Sequence, residues 1–209
     1  MPNKRRRKPD YYYYKAKHEG YKSRAAYKLL QIQEKYQIFK KKQQIVIDLC
    51  GAPGGWAQIV SEKIPEAQII LIDIVSVKLA NTNIHCLQDD ITTQEVVDGI
   101  RKIMEEYNHT TVDLVISDCA PKMGGNYATD HARQIYLVMH AFRISALLQS
   151  NIFVAKCFDG SDFQDLMDLL KEGYKSVKIF KPKASRKESA ELYVICKEFN
   201  NGYVPPEDF

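Results

Sequence analysis

Three apolar runs along this chain are nearly unbroken: "IVIDL" at 45–49, "DLVIS" at 113–117 and "IFVAK" at 152–156. Runs of this length without polar alternation mark parallel strands covered on both faces. Extended along the chain, the same reading predicts strands at 45–49, 68–72, 84–87, 112–117, 152–157, 176–180 and 192–196. Helices are expected near 56–63, 93–107, 130–149 and 161–171. Ahead of them, Ser23 is placed to cap a helix through "RAAYKLLQIQEKY", in which Ala26, Leu29, Leu30 and Gln33 share one face. Strand–helix alternation implies a doubly wound α/β sheet, mostly parallel, with helices on both faces. Only the polar stretch "KPKASRKESAE" separates the last two strands, so they are expected to pair as an antiparallel hairpin. The expected division is an arm at 1–22, a domain at 23–197 and a tail at 198–209; no internal repeat is present.

Composition narrows this little. With 209 residues, 45% apolar and 27% charged, the chain fits one soluble domain with a core that needs neither disulfide nor metal. No stretch approaches the roughly 18 apolar residues of a membrane span. The basic start is followed by "DYYYYKAKHEG" rather than an apolar segment, which argues against a secretory signal. Cys50, Cys86, Cys119, Cys157 and Cys196 form no CxxC pair and fall in or just after strands. They are expected to be free, small core residues in a reducing cytoplasm.

Charge changes the picture more. Residues 1–42 hold 14 Lys/Arg against 3 Asp/Glu, whereas the remaining 167 hold 16 against 23. A basic arm on a mildly acidic body points to an anionic polymer, and a nucleic acid is the favoured partner. Taken singly, "KRRRK" and "KKK" would be only solvated charge. Tyr11 to Tyr14 fit either a base-stacking platform or an anchor for the arm, with the anchor preferred.

The candidate chemistry begins at "IVIDLCGAPGGW", a strand running into a glycine-rich turn. The turn lacks the Gly-Lys-Ser/Thr ending of a P-loop and the Gly-x-Gly-x-x-Gly of a dinucleotide site. Gly51, Gly54 and Gly55 still leave backbone bare to a ligand. Asp73 ends the next strand, where a carboxylate holds ribose hydroxyls, and Asp90 follows the third, in reach of an adenine amino group. One ribose, one adenine and no phosphate suggest S-adenosylmethionine. The five histidines show no metal-ligand spacing with the cysteines, so no metal site is expected. His131 in "DHAR" is read as helix-start packing.

"DLCGAPGGW", "SDCAP", "VAKCF" and "SRKESAELYVI" together resemble the FtsJ-type (RrmJ-like) ribose 2′-O-methyltransferases, over about residues 10–197. "YKSRAAYKL", "DHAR" and "KPKASRKESAE" look closest to archaeal large-subunit rRNA members. Two departures stand out: Cys50-Gly51 before "APGGW", and an aspartate in "QDDI" where many members have glycine. The resemblance implies a Rossmann-like S-adenosylmethionine-dependent fold with a seven-stranded sheet. It also implies a catalytic tetrad of Lys28, Asp118, Lys156 and Glu191, with Lys156 as general base. A lysine serves as a base when desolvation or a nearby cation lowers its pKa, and Lys28 would supply that cation. Asp118 and Glu191 would act in the opposite direction while orienting the amines. Cofactor contacts are expected from Gly54, Trp56, Asp73, Asp90 and Asp118. The implied activity is 2′-O-methylation of a ribose, expected on a uridine of large-subunit (23S) rRNA or the assembled subunit, by a cytoplasmic monomer. The rivals are the same reaction on a tRNA anticodon loop, a catalytically silent RNA-binding module, and a nicotinamide-dependent oxidoreductase.

Overall fold

A computed structural model describes residues 9–122 and 124–206. The elements run α1 (Tyr11–Glu19), α2 (Ala26–Tyr36), β1 (Ile45–Leu49), α3 (Gly55–Lys63), β2 (Gln68–Asp73), β3 (Ile84–Gln88) and α4 (Glu95–Glu106). They continue with β4 (Leu114–Ser117), α5 (Tyr127–Leu147), β5 (Ile152–Phe158), α6 (Phe163–Gly173), β6 (Tyr174–Phe180) and β7 (Glu191–Phe199). One seven-stranded sheet has the order β3-β2-β1-β4-β5-β7-β6. The first five strands in that order pair in parallel, and β7 runs antiparallel to both β5 and β6.

The unbroken apolar runs do what their pattern requires. Every residue of β1 and β4 is buried, because helices cover both faces. Ile45, Ile47 and Leu49 face a core shared with α4, α5 and α6. Val46 turns to the opposite core, built with α2 and α3. In α2, Leu29 and Ile32 are wholly buried, and truncating either to alanine would cost about 2–5 kcal/mol. That packing fixes the height at which Lys28 leaves α2 for the sheet edge.

Several sequence expectations need correction. Ser23 does not cap α2; the helix starts at Ala26 after a turn in which Ala26 N–H reaches the Ser23 carbonyl, and Ala25 takes the cap position without a side-chain bond. The Ser23 hydroxyl instead packs against Gly55, where a Cβ would lie 2.6 Å from it. α1 was not expected, because its four tyrosines show no helical apolar spacing; Asp10 caps it through Tyr13 N–H. Only Tyr12 of the four is half-buried, against Tyr27, so one ring anchors the arm and three stay exposed. β7 continues to Phe199, past the expected boundary at 197, and Tyr203 of the tail packs on Phe142. Lys4, Arg5, Arg6, Arg7 and Lys8 lie outside the described residues.

The cysteine expectation fails for three of five: two are bonded and one is exposed. Cys50 and Cys119 form a disulfide. They follow β1 and β4, which are neighbours in the sheet, so two residues 69 apart in sequence end with Cα atoms 5.1 Å apart. Sequence spacing carries no sign of this, since the pairing comes from strand order. Cys157 and Cys196 are free and buried, as expected, while Cys86 is free and exposed.

Candidate active site

The chemistry gathers where the parallel strands end. β4 delivers Asp118 just past its last residue, and β5 delivers Lys156 near its end. β7 runs the other way, so its first residue, Glu191, lies opposite Phe158 on the same edge. Alternation along the paired strands β5 and β7 puts Lys156, Glu191 and Tyr193 on one face of the sheet, under α2. From α2, Lys28 reaches down to meet them.

The four tetrad candidates therefore come together. Lys28 Nζ lies 2.8 Å from Glu191 Oε2 and 3.7 Å from Asp118 Oδ1. Lys156 Nζ lies 3.2 Å from Asp118 Oδ1 and donates to the Asp118 carbonyl at 2.6 Å. Burial alone would push the Asp118 carboxyl up, but the Lys156 and Lys28 cations and a hydrogen bond from Tyr193 outweigh it, leaving Asp118 below the usual carboxylate range. Lys156 is only 5% exposed, so its amine meets Asp118 with little water between to screen the pair.

Three supporting residues were not singled out in the sequence, although Ser185 and Tyr193 lie within "SRKESAELYVI". The Tyr193 hydroxyl donates to Asp118 Oδ1 at 2.6 Å; burial first, then the Asp118 and Glu191 charges, push its pKa well above the ordinary tyrosine value. Ser185 donates to Glu191 Oε1 at 2.6 Å, so both oxygens of that carboxylate are held. Gln134 of α5, wholly buried, donates to the carbonyls of both Cys119 and Lys156. A polar residue inside an apolar helix face was the available clue for Gln134. His131 packs as expected, buried beneath Gly160, with its Nε2 3.2 Å from the Asp162 amide nitrogen.

A second cavity, of about 240 Å³, opens at the ends of β1, β2 and β3. Asp73 and Asp90 stand on its rim, with Ile74, Ile91 and Leu137 as apolar walls and Cys50 at its base. Asp73 accepts hydrogen bonds from Ala52 N–H and Val75 N–H, which ties the glycine turn to the end of β2. Asp90 is exposed and accepts from the Thr92 amide and hydroxyl. Ile74 and Ile91 were missed because a lone apolar residue near a strand end looks like ordinary core, and Leu137 because it is one of many apolar residues along α5.

Two expected cofactor residues sit elsewhere than their side chains suggest. Trp56 is 3% exposed, and its indole N–H donates to the Ala25 carbonyl, so the ring braces α2 and turns away from this cavity. Only its backbone N–H, in the first turn of α3 where helices leave donors unpaired, remains suited to a ligand. Gly54 takes φ +101 and its absent side chain makes room for Leu79, so this glycine serves the turn's own packing. Cofactor fit therefore rests on two rim carboxylates for polar groups, apolar walls for a flat ring, and first-turn amides. That donor set suits an adenosine with an amino-acid tail. Among the described residues, no three His, Cys, Asp or Glu side chains are placed to hold a metal ion.

This sheet order, with an antiparallel seventh strand and a nucleoside-sized cleft at the strand ends, defines the class of doubly wound α/β methyltransferases. The family model for FtsJ-like methyltransferases matches residues 21–199, and the chain belongs to that family. The chain is 42% identical over 191 residues to a ribosomal RNA large subunit methyltransferase E of Methanococcoides burtonii, covering 90% of this chain and 69% of that one. It is 40% identical to the protein of the same name from Archaeoglobus fulgidus, covering 91% and 96%. It is also 37% identical to a pre-rRNA 2′-O-ribose RNA methyltransferase FTSJ3 of Pongo abelii, covering 91% of this chain and 22% of the relative. A solved ribosomal RNA methyltransferase from Plasmodium falciparum superposes with a TM-score of 0.74 at 28% identity, covering 86% and 98%. Family and fold imply an S-adenosylmethionine methyl donor. Among the described residues, no helix is long and apolar enough to cross a membrane.

Proposed function

We propose that this protein methylates a ribose 2′-hydroxyl in large-subunit rRNA, with a uridine as the target, acting as a cytoplasmic monomer. The observation that carries the reading is the convergence of Lys28, Asp118, Lys156 and Glu191 at one sheet edge, beside the nucleoside-sized cleft. The relatives' names, rRNA methyltransferases and a 2′-O-ribose methyltransferase, favour the same substrate.

S-adenosylmethionine, when bound, supplies a methyl group already activated on a sulfonium. Asp73 and Asp90 would hold its ribose and adenine ends, Asp118 would contact it from the acceptor side, and Gly54 and Trp56 would contribute backbone at the turn. The chain's remaining task is to align the acceptor and remove one proton. A ribose hydroxyl is a weak acid, so a base within hydrogen-bond reach raises its nucleophilicity. Lys156 Nζ takes that proton in this account. Asp118 orients Lys156, and Lys28, held by Glu191, places a second cation close to the same carboxylate. The intact tetrad weighs against a silent RNA-binding module, and the missing dinucleotide fingerprint against an oxidoreductase.

Mapping 2′-O-methylation across rRNA and tRNA, in cells with and without the protein, tests the proposal. A single large-subunit position that loses its methyl group when the protein is removed is the expected result. Loss in a tRNA anticodon loop instead would reassign the substrate.

A further inference from the structure

A cavity of about 830 Å³ lies outside the tetrad and the cofactor cleft. It separates α1 from the start of α5 and is roofed by the β6–β7 connection, so three segments distant in sequence build it. Ser185 and Ala190 line it, and Ser185 is bonded to Glu191, so the groove opens directly beside the tetrad.

Its walls combine exposed aromatic faces with cations. Tyr127, at the first position of α5, is 61% exposed. Its ring lies parallel to that of the buried His131, with planes 12° apart, and its hydroxyl donates to the Asp159 carbonyl. The hydroxyl bond sets the ring's orientation, with the His131 ring parallel to it at 6.2 Å between centroids, while the exposed surface lines the groove. On the opposite wall Tyr11 is 69% exposed and leans edge-on against Tyr12, which is itself packed on Tyr27. Phe158 lies between the walls, and Lys183, Arg186 and Lys187 come from the roof.

Two of the acidic groups present are already spoken for. Asp10 pairs with Arg24 and Arg186, which also fastens α1 to the roof, while Asp130 accepts from Gly124 N–H and Gly125 N–H. Lys183 and Lys187 are exposed, facing a single exposed acid, Glu188. A pre-set aromatic face flanked by lysines, beside a catalytic edge, matches single-stranded nucleic acid, whose unpaired bases stack on aromatic rings and whose backbone tracks cations.

Resting on the methyltransferase reading above, we propose that this groove is a stacking subsite for an unpaired nucleotide flanking the methylated ribose, with Tyr127 as its platform. The acceptor strand is therefore single-stranded or flipped out where it meets the enzyme. A base-paired acceptor leaves Tyr127 without a face to stack on.

The test is binding, read without catalysis. Affinities are measured for a short single-stranded RNA of mixed sequence, and for the same strand annealed to its complement, with wild type, Tyr127→Leu and Tyr127→Phe. Tyr136→Leu, an exposed tyrosine further along α5, is the control. A 2-aminopurine in the single strand reports stacking by fluorescence quenching. Tyr127→Leu is expected to weaken the single strand about tenfold, the contribution of one stacked base, and to relieve the quenching. Tyr127→Phe, which keeps the ring, should retain most of the binding, and the duplex should respond to neither change. Cofactor affinity, measured by calorimetry, should not move in any variant. Unchanged single-strand affinity in Tyr127→Leu would overturn the subsite and leave the methyltransferase reading standing. Equal losses for single strand and duplex would also overturn it, since only backbone contact would then be involved. No RNA binding by the wild type would overturn both.

Discussion

Asp48 and Asp118 belong to neighbouring strands, yet the protein treats their carboxyls in opposite ways. Asp48 sits on the cofactor side, buried within β1, where it accepts a hydrogen bond from Ala57 N–H. Burial pushes it well above the ordinary range, the Asp118 and Asp73 charges add to that, and the amide only partly offsets them. Asp118 sits one strand away with two ammonium groups and a hydroxyl on the same oxygen, and is driven below that range. Around the candidate cofactor cavity the carboxylates are Asp73, Asp89 and Asp90, while Asp48 is buried behind it in β1. The tetrad instead links two ammonium groups and two carboxylates through contacts of 2.8–3.7 Å. If the two sides bind cofactor and move the proton as proposed, mutations on them should fail differently.

The largest expected effect is on the acceptor side. Lys156→Ala should lower turnover by ~10²-fold or more, the scale of a lost general base, while cofactor affinity stays within a few-fold. Single-turnover methylation at saturating RNA measures it; a rate near wild type would leave the tetrad with positioning alone. Asp73→Ala should do the reverse. Losing a hydrogen-bonding charge at the rim should cost about 1.5–3 kcal/mol of affinity for S-adenosylmethionine and S-adenosylhomocysteine alike. RNA binding should not change, and equal dissociation constants by calorimetry would remove Asp73 from the cofactor site.

A third prediction sharpens the comparison by adding a region that belongs to neither half. Deleting residues 1–9 removes Lys4, Arg5, Arg6, Arg7 and Lys8. If these meet phosphates, the slope of log affinity against log salt becomes shallower by roughly 0.7 for each phosphate of single-stranded RNA that is no longer neutralised. Identical slopes for the two proteins would make the segment a solvated tail.

The smallest expected effect separates the two carboxyls by pH. A raised folded pKa means Asp48 binds its proton more tightly in the folded state. Its contribution to stability is therefore full below the ordinary aspartate value of about 3.9 and declines as pH rises toward the folded value. Asp118 has a depressed folded pKa, so its contribution is present above about 3.9 and is lost as pH falls toward the folded value. Urea midpoints against pH should show Asp48→Asn gaining relative to wild type on the neutral side. Asp118→Asn should differ most there in the opposite direction and converge with wild type in acid. Parallel curves for the two variants would break the contrast.

The acceptor half was the more legible in the sequence. Lys28, Asp118, Lys156 and Glu191 stand in distinctive motifs, and the apolar runs and the polar hairpin loop mark the strands that carry three of them. In the cofactor half, the strand ends were legible enough to place Asp73 and Asp90 beside one cavity, whereas the turn was harder to read. The Trp56 indole braces α2 and leaves only its backbone for a ligand, because an indole beside a glycine turn gives no sign in the sequence of which way it points. For residues that act by contact across the fold the sequence motifs gave no sign of the partner: Ser185 on Glu191, Tyr193 on Asp118, Cys50 on Cys119. α1 was missed for a different reason, since only Tyr12 and Ala16 of its apolar residues face inward and such a short stripe has no visible period.

The central claim is that the tetrad delivers a methyl group to a ribose 2′-oxygen, and alkaline hydrolysis tests it most directly. Large-subunit RNA is methylated with S-adenosylmethionine labelled in its methyl group, using wild type and Lys156→Ala, and then digested in alkali. A 2′-O-methyl group blocks the 2′-oxygen from attacking the neighbouring phosphodiester, so that bond survives. Label is expected in alkali-resistant dinucleotides with wild type and almost none with Lys156→Ala. Label released as mononucleotides would place the methyl group on a base and contradict the claim.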